Sequence, residues 1–326
     1  MTRPTERTAT TPDAQRSTGA ALTTDDVLAG VDLSGRTVLV TGVTSGLGGE
    51  TARALAGAGA HVVLTARDTA AAGAVASAIR EAHPAAEPDV FGVDLTNLES
   101  IRALAVRLSE RRLSVDILIN NAGVMYTSFE RTRDGFELQF GTNHLGHFAL
   151  TTLLLPMLTA AADRSGVPAR VVTLSSDAHR AHPVDLVDPN FESRAYDKFV
   201  AYGQSKSANV LMTVELERRT GEHGVHAFSV HPGVCATGLA RHMSSGDMAE
   251  MKRMSAGTPN VLTKLKSIPA AAAATTAWGA TAPELDAVGG AYLADCGVGA
   301  ASDHATDPST ASALWELSTR LTTHVH

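Results

Sequence analysis

Short runs of apolar residues recur along the chain, separated by alanine-rich stretches with helical spacing. "RTVLVTG" (36–42), "HVVLTA" (61–66), "PDVFGVD" (88–94), "VDILIN" (115–120), "ARVVTLS" (169–175) and "VHAFSVH" (225–231) each predict a strand. Each run is nearly continuous in apolar residues, as expected of strands covered on both faces. "GETARALAGAGA" (49–60) and "ESIRALAVRLSERR" (99–112) predict two of the intervening helices. The alternation predicts right-handed βαβ units and an α/β fold, a doubly wound parallel sheet with helices on both faces. "GGAYLA" (289–294) predicts a seventh strand at one edge. No repeat at solenoid spacing occurs, so residues 33–326 read as one domain.

Two segments depart from this alternation. Residues 1–32 are rich in Thr, Ala and charge and poor in large apolar side chains, which predicts a flexible tail unable to offset its ordering entropy. "LGHFALTTLLLPMLTAAA" (145–162) is the most apolar stretch, yet it carries His147 and Pro156 and reads as a buried helix rather than a membrane span. With 27 basic and 34 acidic residues among 326, the net charge of −7 advertises no nucleic-acid surface. Two cysteines, Cys235 and Cys296, make no disulfide framework and suit a reducing cytoplasm.

Candidate chemistry begins after the first strand. Gly42, Gly46 and Gly48 lie between that strand and a helix, where backbone N–H groups can approach a pyrophosphate. This spacing, G-x-x-x-G-x-G, differs from the common G-x-G-x-x-G. At the end of the second strand, where an acid would mark NAD, stand Ala66 and Arg67. Arg67 suits the 2′-phosphate of NADP, although Asp68 follows directly and a solvated Arg–Asp turn is the plainer alternative. In "AYGQSKSANV", Tyr202 and Lys206 share a helical face. An ammonium beside a phenol would lower the phenol's pKa and make it a general acid/base, and a plain surface pair is the other reading.

These motifs together resemble the short-chain dehydrogenase/reductase family over roughly residues 33–320, and within it the retinol-dehydrogenase-like branch. "TGVTSGLG" resembles the family's glycine signature, "VDL" its adenine contact, "NNAG" the fourth-strand motif and "HPGVCAT" the segment clasping the nicotinamide. The resemblance implies a Rossmann-type fold and a cofactor, NADP(H) in preference to NAD(H). It assigns that cofactor to Gly42, Ser45, Gly46, Leu47, Gly48, Arg67, Asp94 and Leu95. Further contacts would come from Asn121, Ala122, Gly123, Tyr202, Lys206, Pro232, Gly233, Val234 and Thr237. Implied catalytic residues are Tyr202 as acid/base, Lys206 as its modulator and ribose contact, Ser176 polarising the carbonyl, and Asn143 positioning a relayed water. Ser175 is the rival to Ser176, because adjacent strand residues face opposite ways.

The expected reaction interconverts a carbonyl and an alcohol on an apolar or bulky small-molecule substrate. Reduction of a C=C bond on the same scaffold is the alternative, and a non-catalytic NADP-binding sensor is the reading from another class. Residues 238–268 would cover the substrate, with Met243, Met248, Met251 and Met254 either adapting to it or packing helices. Long apolar faces on helices near 135–160 and 202–222 suggest a homo-oligomer paired through them. His144 and His147 share a helical face without a Cys or carboxylate cluster, so packing or hydrogen bonding is preferred to a metal site. His179, Arg180 and His182 either border the substrate or supply ordinary loop polarity.

Overall fold

The computed structural model describes residues 21–44, 46–235, 243, 246–247, 265–266 and 269–323. The strands are β1 (Thr37–Thr41), β2 (His61–Ala66), β3 (Asp89–Gly92), β4 (Ile117–Asn120), β5 (Ala169–Leu174), β6 (Val225–His231), β7 (Val234–Cys235), β8 (Leu265–Lys266), β9 (Tyr292–Ala294) and β10 (Gly297–Gly299). Eight of them form one sheet in the order β3-β2-β1-β4-β5-β6-β9-β10, and β7 and β8 pair separately. All neighbours in the large sheet are parallel except β9 and β10. Strand order reverses between β1 and β4, and that reversal opens the crevice where a doubly wound sheet binds its ligand.

Between the strands run α1 (Thr24–Val27), α2 (Leu47–Gly57), α3 (Thr69–Ala82), α4 (Leu98–Glu110), α5 (Leu138–Phe140), α6 (Gly146–Ser165), α7 (Lys198–Thr220), α8 (Pro269–Thr281), α9 (Asp303–Thr306) and α10 (Pro308–Thr323). The continuous apolar runs serve two cores, as a doubly covered sheet requires. Leu39, Leu118 and Val171 meet α4, α6, α7 and α10 on one face. Their neighbours Val38, Val40, Ile117, Ile119 and Val172 meet α2, α3 and α8 on the other. Although the continuous helix Leu138–Ser165, which includes α5 and α6, is long and apolar enough to cross a membrane, most of its apolar stretch is buried inside this fold.

Three expectations change. The tail boundary moves toward the N-terminus, because α1 is closed by a capping box between Thr23 and Asp26. Thr24 Oγ1 donates to Glu50 at 2.6 Å, and Leu28 and Leu33 enter the core. An eighth strand, β10, adds an antiparallel edge after β9. The apolar face of α7, expected to pair across a dimer, is covered by α10 of the same chain. Trp315 meets Phe148 edge-on at 4.8 Å, Arg219 stacks over Trp315 at 4.8 Å, and Arg219 pairs with Glu316. α6 retains an outward apolar strip at Leu153, near the exposed Val106 of α4.

Candidate active site

A crevice of about 490 Å³ lies at the carboxyl ends of β1, β2 and β4. Gly42 turns the chain out of β1 at φ +70°, and a Cβ there would meet Ala122 at 2.8 Å. A Cβ on Gly48 would collide with the Asn121 amide and the Gly42 carbonyl, so the glycines let two turns close on each other. Helix α2 starts at Leu47 after an N-cap, Gly46, that makes no side-chain cap bond, and Leu47 lines the crevice. Leu47, Asp94, Leu95, Asn121, Ala122, Gly123 and Pro232 line the space, and Arg67 stands exposed at its β2 end. Asp94 accepts hydrogen bonds from Thr96 N and Oγ1, which fixes the loop after β3. These features fit a dinucleotide: close backbone, an uncapped helix start and a cation at the ribose end.

Ser45 and Thr237 lie outside the described residues, as does most of the expected substrate cover at 238–268. Gly233 turns at φ +86°, and Val234 pairs in β7 with Leu265 of β8. The two ends of the cover are therefore tied together. Within it, Asp247 pairs with Lys198 at the start of α7.

The candidate catalytic side chains do not line the crevice; Lys206 and Asn143 lie behind its lining residues Leu174, Gly123 and Val124. Tyr202 and Lys206 are buried one turn apart on α7. Lys206 Nζ donates to the carbonyl of Leu174, a crevice residue, at 2.9 Å. A Cβ on Gly123 would come within 4.0 Å of the same Nζ and within 3.0 Å of Asn143 Oδ1. Ser175 and Ser176 separate as alternation requires. Ser175 donates to the Lys206 carbonyl at 2.9 Å, whereas the Ser176 side chain hydrogen-bonds the Tyr202 phenol.

The electrostatics differ from the simple expectation for a Tyr–Lys pair. Burial, reinforced by Tyr126, pushes the Tyr202 phenol well above its ordinary range, and Ser176 opposes this only in part. Burial also pushes the Lys206 ammonium down to about 8. Nζ lies 5.6 Å from the centre of the Tyr202 ring, directed at Leu174. The phenol therefore holds its proton firmly at neutral pH, which suits a donor. The expected lowering by Lys206 is absent from this arrangement.

Asn143 occupies a π-helical turn, Gly141–Leu145, between α5 and α6. Such turns shift the backbone hydrogen bonds and recur at functional positions. Its side chain accepts from Val124 N at 2.8 Å and donates to Val124 O and Ser205 Oγ. The amide thus anchors the loop after Gly123. His144 and His147 leave this region in different directions, His144 to Ser318 of α10 and His147 to Thr41 of β1. Of the loop residues after Ser176, Arg180 pairs with Asp177, and His179 Nδ1 donates to the Ser176 carbonyl at 2.7 Å, steadying the serine's loop.

Sequence reasoning missed an aromatic wall beside the phenol. Tyr126 meets Tyr202 edge-on at 5.1 Å and Phe199 at 4.5 Å. Tyr126 adopts φ +55°, unusual outside glycine, and Gln139 Oε1 accepts its backbone N–H at 2.8 Å. Only its position after the glycine of "NNAG" hinted at such a role.

A sequence profile described as short chain dehydrogenase matches residues 36–247. The chain is 41% identical over 307 residues to short-chain dehydrogenase TIC 32 B, chloroplastic, of Brassica napus, covering 93% of each chain. It is 40% identical over 309 residues to human retinol dehydrogenase 13, covering 93% of this chain and 91% of that one. Among solved structures, an uncharacterized protein from Mycobacterium Paratuberculosis superposes with a TM-score of 0.72 at 36% identity, covering 93% of this chain and 98% of that one. The Pseudomonas aeruginosa RhlG/NADP active-site complex gives 0.63 at 27% identity, covering 81% and 95%.

Proposed function

Because this chain belongs to the short-chain dehydrogenase family, an oxidoreductase family, we propose that it interconverts carbonyl and alcohol with NADP(H). The observation that carries this reading is the buried Tyr202 phenol, hydrogen-bonded by Ser176, with Lys206 bonded to the carbonyl of Leu174 in the crevice lining. The bound dinucleotide would supply the hydride. Ser176 and Tyr202 would meet the charge that develops on the carbonyl oxygen, and Tyr202 would give that oxygen its proton. In the oxidative direction the same phenol must first lose its proton. Its upward-shifted pKa keeps the phenol protonated near neutral pH, the form that the reductive direction uses.

Support for NADP(H) comes from Arg67 at the crevice mouth and from a structural relative described with NADP. An apolar or bulky substrate is supported by the Tyr126–Phe199 wall and by relatives named retinol dehydrogenases. The test is NADPH consumption across ketones, aldehydes and enones, with product analysis of the reduced bond. Turnover of enones at the C=C bond alone would overturn the carbonyl reading.

A second expectation follows from Lys206. Lysine is cationic below its pKa, here lowered to about 8, so its charge is lost on passing upward through that pH. NADPH affinity of the free enzyme, measured by fluorescence titration, is expected to weaken through this window. A profile flat up to the ordinary lysine range would remove Lys206 from the binding site.

A further inference from the structure

We propose that His147 is a positioning residue: its imidazole ties the dinucleotide turn to the Asn143 backbone, fixing the nucleotide side of the crevice relative to the catalytic side. His147 is buried at the start of α6 and has a partner on each ring nitrogen. Nδ1 lies 3.0 Å from the Asn143 carbonyl, and Nε2 lies 2.9 Å from Thr41 Oγ1.

A carbonyl only accepts, so Nδ1 carries the proton and Nε2 offers its lone pair to the Thr41 hydroxyl. Thr41 Oγ1 in turn accepts the backbone N–H groups of Asn121 at 2.9 Å and Ala122 at 3.0 Å. The hydroxyl's one proton and both lone pairs are then used, with the longer 3.4 Å approach to Ile119 O as the only competitor. Burial keeps the ring neutral, with its pKa pushed down to about 4, as this single tautomer requires.

Each end of the chain of bonds belongs to the site. Asn121 and Ala122 line the crevice and pack against Gly42 and Gly48, while the Asn143 amide fixes the loop after Gly123. The carbonyl of Asn143 sits within the π-helical turn. There the Gly146 N–H bonds back to Gly141, so the backbone ladder is shifted by one residue. An apolar side chain at 147 would leave the buried Thr41 hydroxyl only its longer approach to Ile119 O, and the Asn143–Val124 bonds alone would tie the two turns.

This inference rests on the dinucleotide reading of the crevice, and the experiment separates the two. Nitrogen-15 NMR of the histidine-labelled protein should show that the imidazole signal lost in His147→Phe is protonated at Nδ1; an Nε2–H tautomer in that signal overturns the proposal without any cofactor. His147→Phe is expected to weaken NADPH binding about tenfold and to lower kcat by at least as much, while His147→Gln, which keeps a donor and an acceptor, recovers most of both. Thr41→Val should weaken binding similarly, and combining it with His147→Phe should add little, because both cut the same chain. A lowered melting temperature with unchanged NADPH affinity and kcat in His147→Phe would mean packing alone and overturn the role. Should that variant not fold, unchanged affinity in Thr41→Val overturns it equally. Absence of NADPH binding by the unaltered protein would instead sink the cofactor reading.

Discussion

Tyr202→Phe is expected to lower kcat about a thousandfold while leaving NADPH affinity within about twofold. The substitution removes one hydroxyl from a ring that is otherwise held by packing against Tyr126. The ring stays, so that packing stays. What disappears is the phenol proton beside Ser176, the one assigned to follow hydride to the carbonyl oxygen. Lys206 cannot take over, because its ammonium is directed at the Leu174 carbonyl. Single-turnover kinetics with prebound NADPH make the measurement, since they isolate chemistry from binding. Activity close to that of the unaltered enzyme would transfer the acid role elsewhere. Stability should change little or rise slightly, because a buried hydroxyl is replaced by an apolar ring edge.

The same residues show which parts of the molecule a sequence reveals. Strands β1 to β6 were legible because burial on both faces demands unbroken apolar runs, and only such runs supply alternate residues to two cores. Strand β10 was not, since "GVG" carries one apolar residue, Val298, and that one is exposed. Its pairing is set by β9 and the edge of the sheet. The amphipathic stripe Ala311, Leu314, Trp315 of α10 went unread in the sequence, and its spacing names no neighbour. Placing it over α7 took the tertiary structure, which packs the two helices together within one chain.

At the site, residue identities were legible and orientations were not. Tyr202 and Lys206 share a face by spacing, as predicted, yet the ammonium turns to Leu174 O because that carbonyl lies within its reach. The sequence placed the two serines on opposite sides of β5, and the structure shows which one faces the phenol. His147 gave no signal beyond its partner His144, because what distinguishes it is a hydroxyl about a hundred positions earlier on β1.

Arg67→Ala is expected to weaken NADPH binding about thirtyfold and NADH binding less than twofold, measured by fluorescence titration of both cofactors. The argument turns on Asp68 as much as on Arg67. An NAD-type ribose contact needs a carboxylate free to accept the 2′-hydroxyl. Asp68 instead caps α3, accepting the Ala71 N–H at 3.0 Å, and Ala66 at the strand end offers no acceptor side chain. Arg67 makes no hydrogen bond or ion pair with the described residues and lines the crevice with its side chain exposed. A guanidinium in that setting gives a 2′-phosphate two parallel charge-assisted bonds, discounted for its exposure to solvent. Asp68→Ala should cost α3 about 1 kcal/mol of capping and leave the preference between the cofactors unchanged. Equal losses for both nucleotides in Arg67→Ala would show that the cation serves the pyrophosphate, and a gain in NADH binding in Asp68→Ala would show that the cap had been blocking the adenosine ribose.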